Sequence, residues 1–172
     1  MIPSLLLSVA LAITSTSTAE PLTDTVFETR CHDAVDALHQ WFEDWFNAAI
    51  PERPESLAPF RDVLADDFQY VGAAGFLIDK ATIFADGTWP AHGWWREFED
   101  GGRTRVENFS FRRVSADVAL VTYEYWQDYG TIRRGRQDTA VFRRDESQPH
   151  GVLWLHVQET WLPETDPASA AD

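Results

Sequence analysis

Residues 103–162 read RTRVENFSFRRVSADVALVTYEYWQDYGTIRRGRQDTAVFRRDESQPHGVLWLHVQETWL, and the alternation within them decides the fold. Apolar and polar side chains exchange with a period of two over Arg105–Val114, Val118–Tyr129, Arg136–Arg144 and Val152–Leu162. That spacing puts successive side chains on opposite faces of a strand. Short turn-forming stretches, Ser115-Ala116-Asp117 and residues 145–151, separate the runs, so sequential strands are expected to pair as an antiparallel meander. In the run from Val118, one face carries Val118, Leu120, Thr122, Glu124 and Trp126, and the other Ala119, Val121, Tyr123 and Tyr125. Both faces are too apolar to meet water, which predicts that one is covered by helices and the other by a second copy of the chain. The alternative is a sheet curled tightly enough to bury both faces within one chain.

Ahead of the meander the period changes to 3.6. Val35, Leu38, Trp41, Phe42 and Trp45 recur at helical spacing, Thr25 and Glu28 form a capping-box pair, and Pro51 and Pro54 stop the helix near Ile50. A second, short helix is expected to open at Pro59 and run to Asp66-Asp67. Phe68–Val71 and Phe76–Ile78 then read as a hairpin, after which Asp79 caps a third helix through Phe84 that Gly87 ends. Residues 88–102, TWPAHGWWREFEDGG, read as an irregular aromatic connection. Helices first and strands after predict an α+β domain: a curved, mainly antiparallel sheet covered on its concave face by about three N-terminal helices.

The length of 172 residues allows one domain with short extensions. Fourteen Lys and Arg against 28 Asp and Glu give a charge of −14, the wrong sign for phosphate, so no nucleic-acid partner is expected. Eight Trp and eleven Phe are enough for a large aromatic core or pocket. A single cysteine excludes an intramolecular disulfide, and no Cys/His spacing suits zinc. Residues 1–19 carry no charged side chain, and the apolar run from Ile2 to Ile13 is too short for stable membrane insertion. It fits a signal peptide cleaved after Ala19, which predicts export to a periplasm or beyond; the alternative is a leader on a cytoplasmic protein. The domain itself is expected over 20–163, with 164–172 a disordered acidic tail.

Five stretches resemble a known family: HDAVDALHQWFEDWFN (32–47), Ala91-His92-Gly93, VTYEYWQ (121–127), GRQDTAVFRR (135–144) and LWLHVQETWLP (153–163). They are similar to the SnoaL-like bacterial branch of the nuclear transport factor 2-like superfamily, most of whose members have no assigned function. The resemblance implies a cone of curved sheet closed by helices around an apolar pocket. It also implies kinship with ketosteroid isomerases, scytalone dehydratase, limonene epoxide hydrolase and polyketide cyclases. Relatives in this branch tend to carry a second histidine in the closing strand, where Gln158 stands here, so a two-histidine mechanism lacks one member. The fold also serves non-enzymes and does not establish catalysis.

Alternation in the closing strand puts Trp154, His156, Gln158 and Thr160 on one face and Leu153, Leu155, Val157, Glu159 and Trp161 on the other. If the first face lines the cone, His156 is a candidate proton carrier, with Gln158 and Thr160 holding a carbonyl or hydroxyl. A structural histidine bonded to a neighbouring strand is the competing reading. Glu124, between Tyr123 and Tyr125, is a candidate general base whose carboxylate desolvation would perturb unless Arg136 or Arg143 pairs with it. Tyr70, His92, Trp126 and Arg136 complete the candidate ligand-binding set. His32, Asp36, His39 and Glu43 fall on one helical stripe, a metal-like spacing that a solvated polar face predicts equally well, and no metal or cofactor is expected. An aromatic excess with a few polar groups is the makeup of a small-molecule site. The expected function is a pocket for an apolar or aromatic ligand, with isomerase, dehydratase or cyclase chemistry implied by the resemblance. The alternative is a non-catalytic binding or dimerisation module.

Overall fold

In the computed structural model, which describes residues 23–85 and 91–163, the helical periodicity becomes α1 (Asp24–Phe46). Phe27, Cys31, Val35, Leu38, Trp41 and Trp45, three or four residues apart, are buried along one side, the stripe with which an amphipathic helix packs on a sheet. Thr23 is the N-cap, its hydroxyl accepting from the Val26 amide at 3.4 Å. The expected box at Thr25 and Glu28 starts too late, because the chain is already helical at Asp24. At the other end the helix stops at Phe46 rather than Ile50, because Asn47 acts as a clamp. Its Nδ2 donates to the carbonyls of Glu43 and Gly102, at 3.0 and 2.9 Å, and its Oδ1 accepts from the Gly102 amide at 2.9 Å. Gly102 has room for no side chain, since a Cβ there would lie 2.2 Å from the Trp95 indole.

After a 3₁₀ turn at Pro54–Leu57 come α2 (Ala58–Arg61), β1 (Leu64–Val71), β2 (Leu77–Asp79) and α3 (Lys80–Ile83). The second helix is shorter than expected, and Leu64 and Ala65 already belong to a strand. Asp79 caps α3 as read from the sequence, its Oδ1 accepting from the Thr82 amide at 2.8 Å. Gly87, the leader through Ala19 and the acidic tail 164–172 lie outside the described residues. The meander follows as β3 (Gly102–Arg113), β4 (Val118–Tyr129), β5 (Ile132–Arg144) and β6 (Val152–Trp161).

The six strands lie in the order β2-β1-β6-β5-β4-β3, with β1 parallel to β6 and every other pair antiparallel. Three irregularities interrupt the ladders, one of them between Leu64 and Gln69 where β1 pairs with β6. In β3 the register shifts between Glu107 and Ser110, where Asn108 takes a positive φ of 54°, a conformation asparagine tolerates better than most residues. In β6 it shifts at Leu155, where His156 pairs with Val141 and Trp154 with Phe142. Such bulges add twist and re-aim side chains. α1 packs against β3 and β6, and Ala119, Val121, Tyr123, Tyr125, Ala140 and Phe142 are buried on the concave side. On the other face Leu120, Thr122, Glu124 and Trp126 are only half-buried. Cys31 is buried on α1, and burial followed by the Glu28 charge pushes its thiol up to about 12, which leaves it an inert core group. Among the described residues no helix is long and apolar enough to cross a membrane.

Candidate functional site

Strand register places the polar groups of the concave face in two adjoining rows. Tyr123 of β4, Asp138 of β5 and Glu159 of β6 are direct cross-strand partners, and Tyr125, Arg136 and Trp161 form the next row. Two carboxyl groups directly opposite one another repel if both are ionised. Arg136, one step along β5, offsets this: its Nη1 donates to Glu159 Oε2 at 3.1 Å, and its guanidinium lies 4.7 Å from the centre of the Tyr125 ring. Tyr70 of β1 hydrogen-bonds the same glutamate.

Asp138 has a different environment. It is 2% exposed, and its Oδ1 has no hydrogen-bond partner. Burial first, and then the charge of Glu159, push its carboxyl well above the usual carboxylate range, with Arg136 and a hydrogen bond from Tyr123 acting against them. Asp138 therefore keeps its proton to higher pH than an exposed aspartate would. The neighbouring phenols are held protonated too: burial raises the Tyr70, Tyr123 and Tyr125 hydroxyls above their ordinary range.

These groups wall one end of a cavity of about 420 Å³ between α1 and the sheet. Apart from Gln127 and His39 the rest of its lining is apolar, including Phe42, Phe46, Phe60, Phe68, Trp154 and Val157. At its rim Phe76 and Trp94 are 49% and 64% exposed, unusual for large apolar side chains.

His39 reaches the cavity from α1. Its Nδ1 lies 2.8 Å from the Val35 carbonyl, so in the neutral ring that nitrogen carries the proton and Nε2 the lone pair. Burial pushes its pKa down to about 4, with the Arg136 charge acting in the same direction and the Val35 bond opposing. The folded protein thus resists protonating this ring while the unfolded chain protonates near 6.5, so the contribution is full above 6.5 and is lost as pH falls towards 4. At about 1.4 kcal/mol per pH unit, the loss comes to about 3 kcal/mol. Urea unfolding of the wild type and His39→Gln between pH 4 and 7 checks this: the stability difference between them should narrow, or reverse in favour of the variant, on acidification. A difference independent of pH would show that His39 titrates alike in both states.

Of the residues singled out from the sequence, Tyr70 and Arg136 line the cavity together. His156, Gln158 and Thr160 do not. The bulge at Leu155 inverts the alternation beyond it, so Trp154, Val157 and Glu159 face inward, and Gln158 and Thr160 are exposed on the other side. His156 pairs with Val141 on that outer face. Glu124 and Trp126 are outside as well: Glu124 Oε1 accepts from Asn108 Nδ2 at 2.8 Å and Oε2 from Trp126 Nε1 at 2.9 Å. Of the two cations expected beside Glu124, Arg136 or Arg143, Arg136 pairs instead with Glu159. His92 stacks edge-on against Trp45 with 4.6 Å between ring centres, and its Nε2 lies 2.8 Å from the Ile50 carbonyl, bracing the loop rather than lining the cavity. The helical stripe does not converge either: His32 pairs with Asp36, Glu43 accepts from the Thr104 amide at 2.6 Å, and His39 turns into the core.

Asp138, Glu159 and His39 escaped the sequence reading as site residues. A usable signal was present. Arg136 and Asp138 share the parity of the core residues Ala140 and Phe142, so two opposite charges sit in an otherwise apolar face. His39 likewise falls inside the stripe Val35, Leu38 and Phe42.

No family model and no curated protein matches the sequence. Solved structures do. An NTF-2-like protein of unknown function from Pseudomonas aeruginosa is 24% identical, with a TM-score of 0.61 over 80% of this chain and 98% of that one. The CaMKII hub of S. rosetta is 15% identical, with a TM-score of 0.54 over 83% and 99% of the two chains. The structure of LinA is 12% identical, with a TM-score of 0.53 over 81% and 91%. Similarity at this level concerns backbone architecture, and it matches the element order, the curved sheet and the covering helix: the chain has the nuclear transport factor 2-like fold.

Proposed function

We propose that the protein binds a small, largely apolar ligand in the cavity beneath α1 and holds the ligand's polar group at Asp138. The carrying observation is the Asp138 carboxyl: buried, at the cavity wall, with one oxygen unpartnered. Native proteins rarely leave such an atom unsatisfied without a role for it. The cavity volume lies at the small end of the range for ligand sites. Asp138, Tyr70 and the neutral His39 ring are groups of the kind that pass a proton to or from a bound molecule, which supports isomerase, dehydratase or cyclase chemistry as the reaction class.

Uptake of N-phenyl-1-naphthylamine, a neutral apolar fluorophore, tests the reading. The wild type should bind one equivalent with enhanced emission, and Val157→Trp, which fills the cavity, should bind none while still unfolding cooperatively. Equal emission from both proteins would place the fluorophore elsewhere and end the proposal.

Self-association is a second reading. The outer face of the sheet carries Leu120, Trp126 and Val141 half-buried in the single chain, and the similar structures include a CaMKII hub and a CaMKII association domain. A homodimer through this face should scatter light as about twice 19.6 kDa at micromolar concentration, and Leu120→Arg should return it to one chain mass. A wild type that scatters as one chain would leave that face simply solvated. Export after cleavage behind Ala19 belongs to the proposal as well and rests on the uncharged leader.

A further inference from the structure

The polar end of the cavity holds two carboxyl groups and one guanidinium. Among the described residues, the charged or titratable side chains that line the cavity are His39 from α1, Tyr70 from β1, Tyr123 and Tyr125 from β4, Arg136 and Asp138 from β5, and Glu159 from β6. Arg136 is the one side chain among them with a permanent positive charge, and Glu159 engages it at 3.1 Å. The three phenols and the His39 ring are neutral near pH 7. Asp138 is left with no cation of its own and a free oxygen.

We propose that the ligand of this cavity is an organic cation, an apolar body bearing a protonated amine, for which Asp138 is the counter-charge. The inference rests on the cavity being a ligand site and adds the chemical class. An ammonium N–H donates to Asp138 Oδ1 and brings the charge of the cluster to zero with Asp138 ionised. A carboxylate ligand would add a third anion beside a guanidinium whose charge Glu159 already offsets, although its Nε is unpartnered, and a neutral ligand would supply no counter-charge to Asp138. The walls fit the same class, because Phe42, Phe46, Trp94 and Tyr125 are among the lining residues, and aromatic rings attract cations. At longer range a net charge of −14 draws cations towards the protein. An ammonium partner favours the ionised form of Asp138, which burial disfavours, so amine affinity should rise with pH until the amine itself begins to deprotonate.

Three probes with the same ring system decide the class: 2-naphthylmethylamine, 2-naphthalenemethanol and 2-naphthoate, titrated calorimetrically into the full chain at pH 7. The amine should bind about tenfold or more tighter than the alcohol, with 2-naphthoate weakest. Asp138→Asn should remove most of that preference. Alcohol or naphthoate binding as tightly as the amine would overturn the cation assignment and leave the cavity reading standing. So would loss of all three probes in a protein that still takes up N-phenyl-1-naphthylamine. Loss of that fluorophore as well would bring down both. Should Asp138→Asn fail to fold, the ranking of the three probes on the wild type still decides the question.

Discussion

Arg136→Met should lower the unfolding free energy by about 3–5 kcal/mol, the cost of leaving a buried charge without its partner. Arg136 is the one cation among two carboxyls and three phenols, and its side chain and that of Glu159 are 14% and 10% exposed. Removing it strands Glu159 beside Asp138, whose own carboxyl already resists ionisation through burial and the Glu159 charge. The double replacement Arg136→Met with Glu159→Leu removes both charges, so it should recover most of that loss and match or exceed the wild type, since a buried ion pair seldom outperforms apolar packing. Urea unfolding at pH 7 compares the three proteins. A double variant no more stable than Arg136→Met would mean that packing, not charge, sets the effect. The pair would then be retained for the ligand rather than for the fold.

Trp154→Ala is expected to be about as damaging, roughly 3–5 kcal/mol, through lost burial and the hole it leaves. The indole is 1% exposed, and its ring centre lies 4.4 Å from that of Phe142. It also lines two hollows: the site cavity, and a second one of about 380 Å³ bordered by Ala34, Trp41 and His150. Its removal joins them, so the surrounding side chains cannot close the gap by small shifts, and the cost should fall at the upper end. Thermal unfolding should show a fall of about 10 °C or more for a chain of this size. A shift of only a degree or two would show that the core collapses around the alanine. Trp154→Phe, which keeps the aromatic contact with Phe142, should recover part of the loss.

Local pattern carried a large part of this architecture. The extent of β4, Val118–Tyr129, follows directly from alternation, and so does the division of its side chains between a buried face with Tyr123 and Tyr125 and an outer face with Glu124 and Trp126. The long helix and the Asp79 cap were equally legible. Each depends on residues within a few positions of one another, where period, capping chemistry and sterics act without reference to the rest of the chain. The resemblance of the five quoted stretches added the cone, which the tertiary structure bears out.

The inner end of β6 is a different matter. Counting by twos from Trp154 puts His156 inside, but one extra residue at Leu155 puts Glu159 there instead. The single slip exchanges a candidate histidine for a carboxylate. That bulge is a property of how β6 meets β5 on one side and β1 on the other, two pairings that the β6 sequence does not contain. The same holds for charge. Arg136 is chemically suited to Glu124, yet Glu124 lies on the other face of the sheet and Glu159 is within reach. His39 sits at the border between the polar and apolar stripes on a helical wheel, and it joins the core once α1 lies across the concave face. The sequence by itself determined which elements form and which side chains of an unbroken strand share a face, because those are short-range matters of period and sterics. Only the tertiary structure decided which of those faces encloses the cavity and which charges meet in it, because both depend on register between strands distant along the chain.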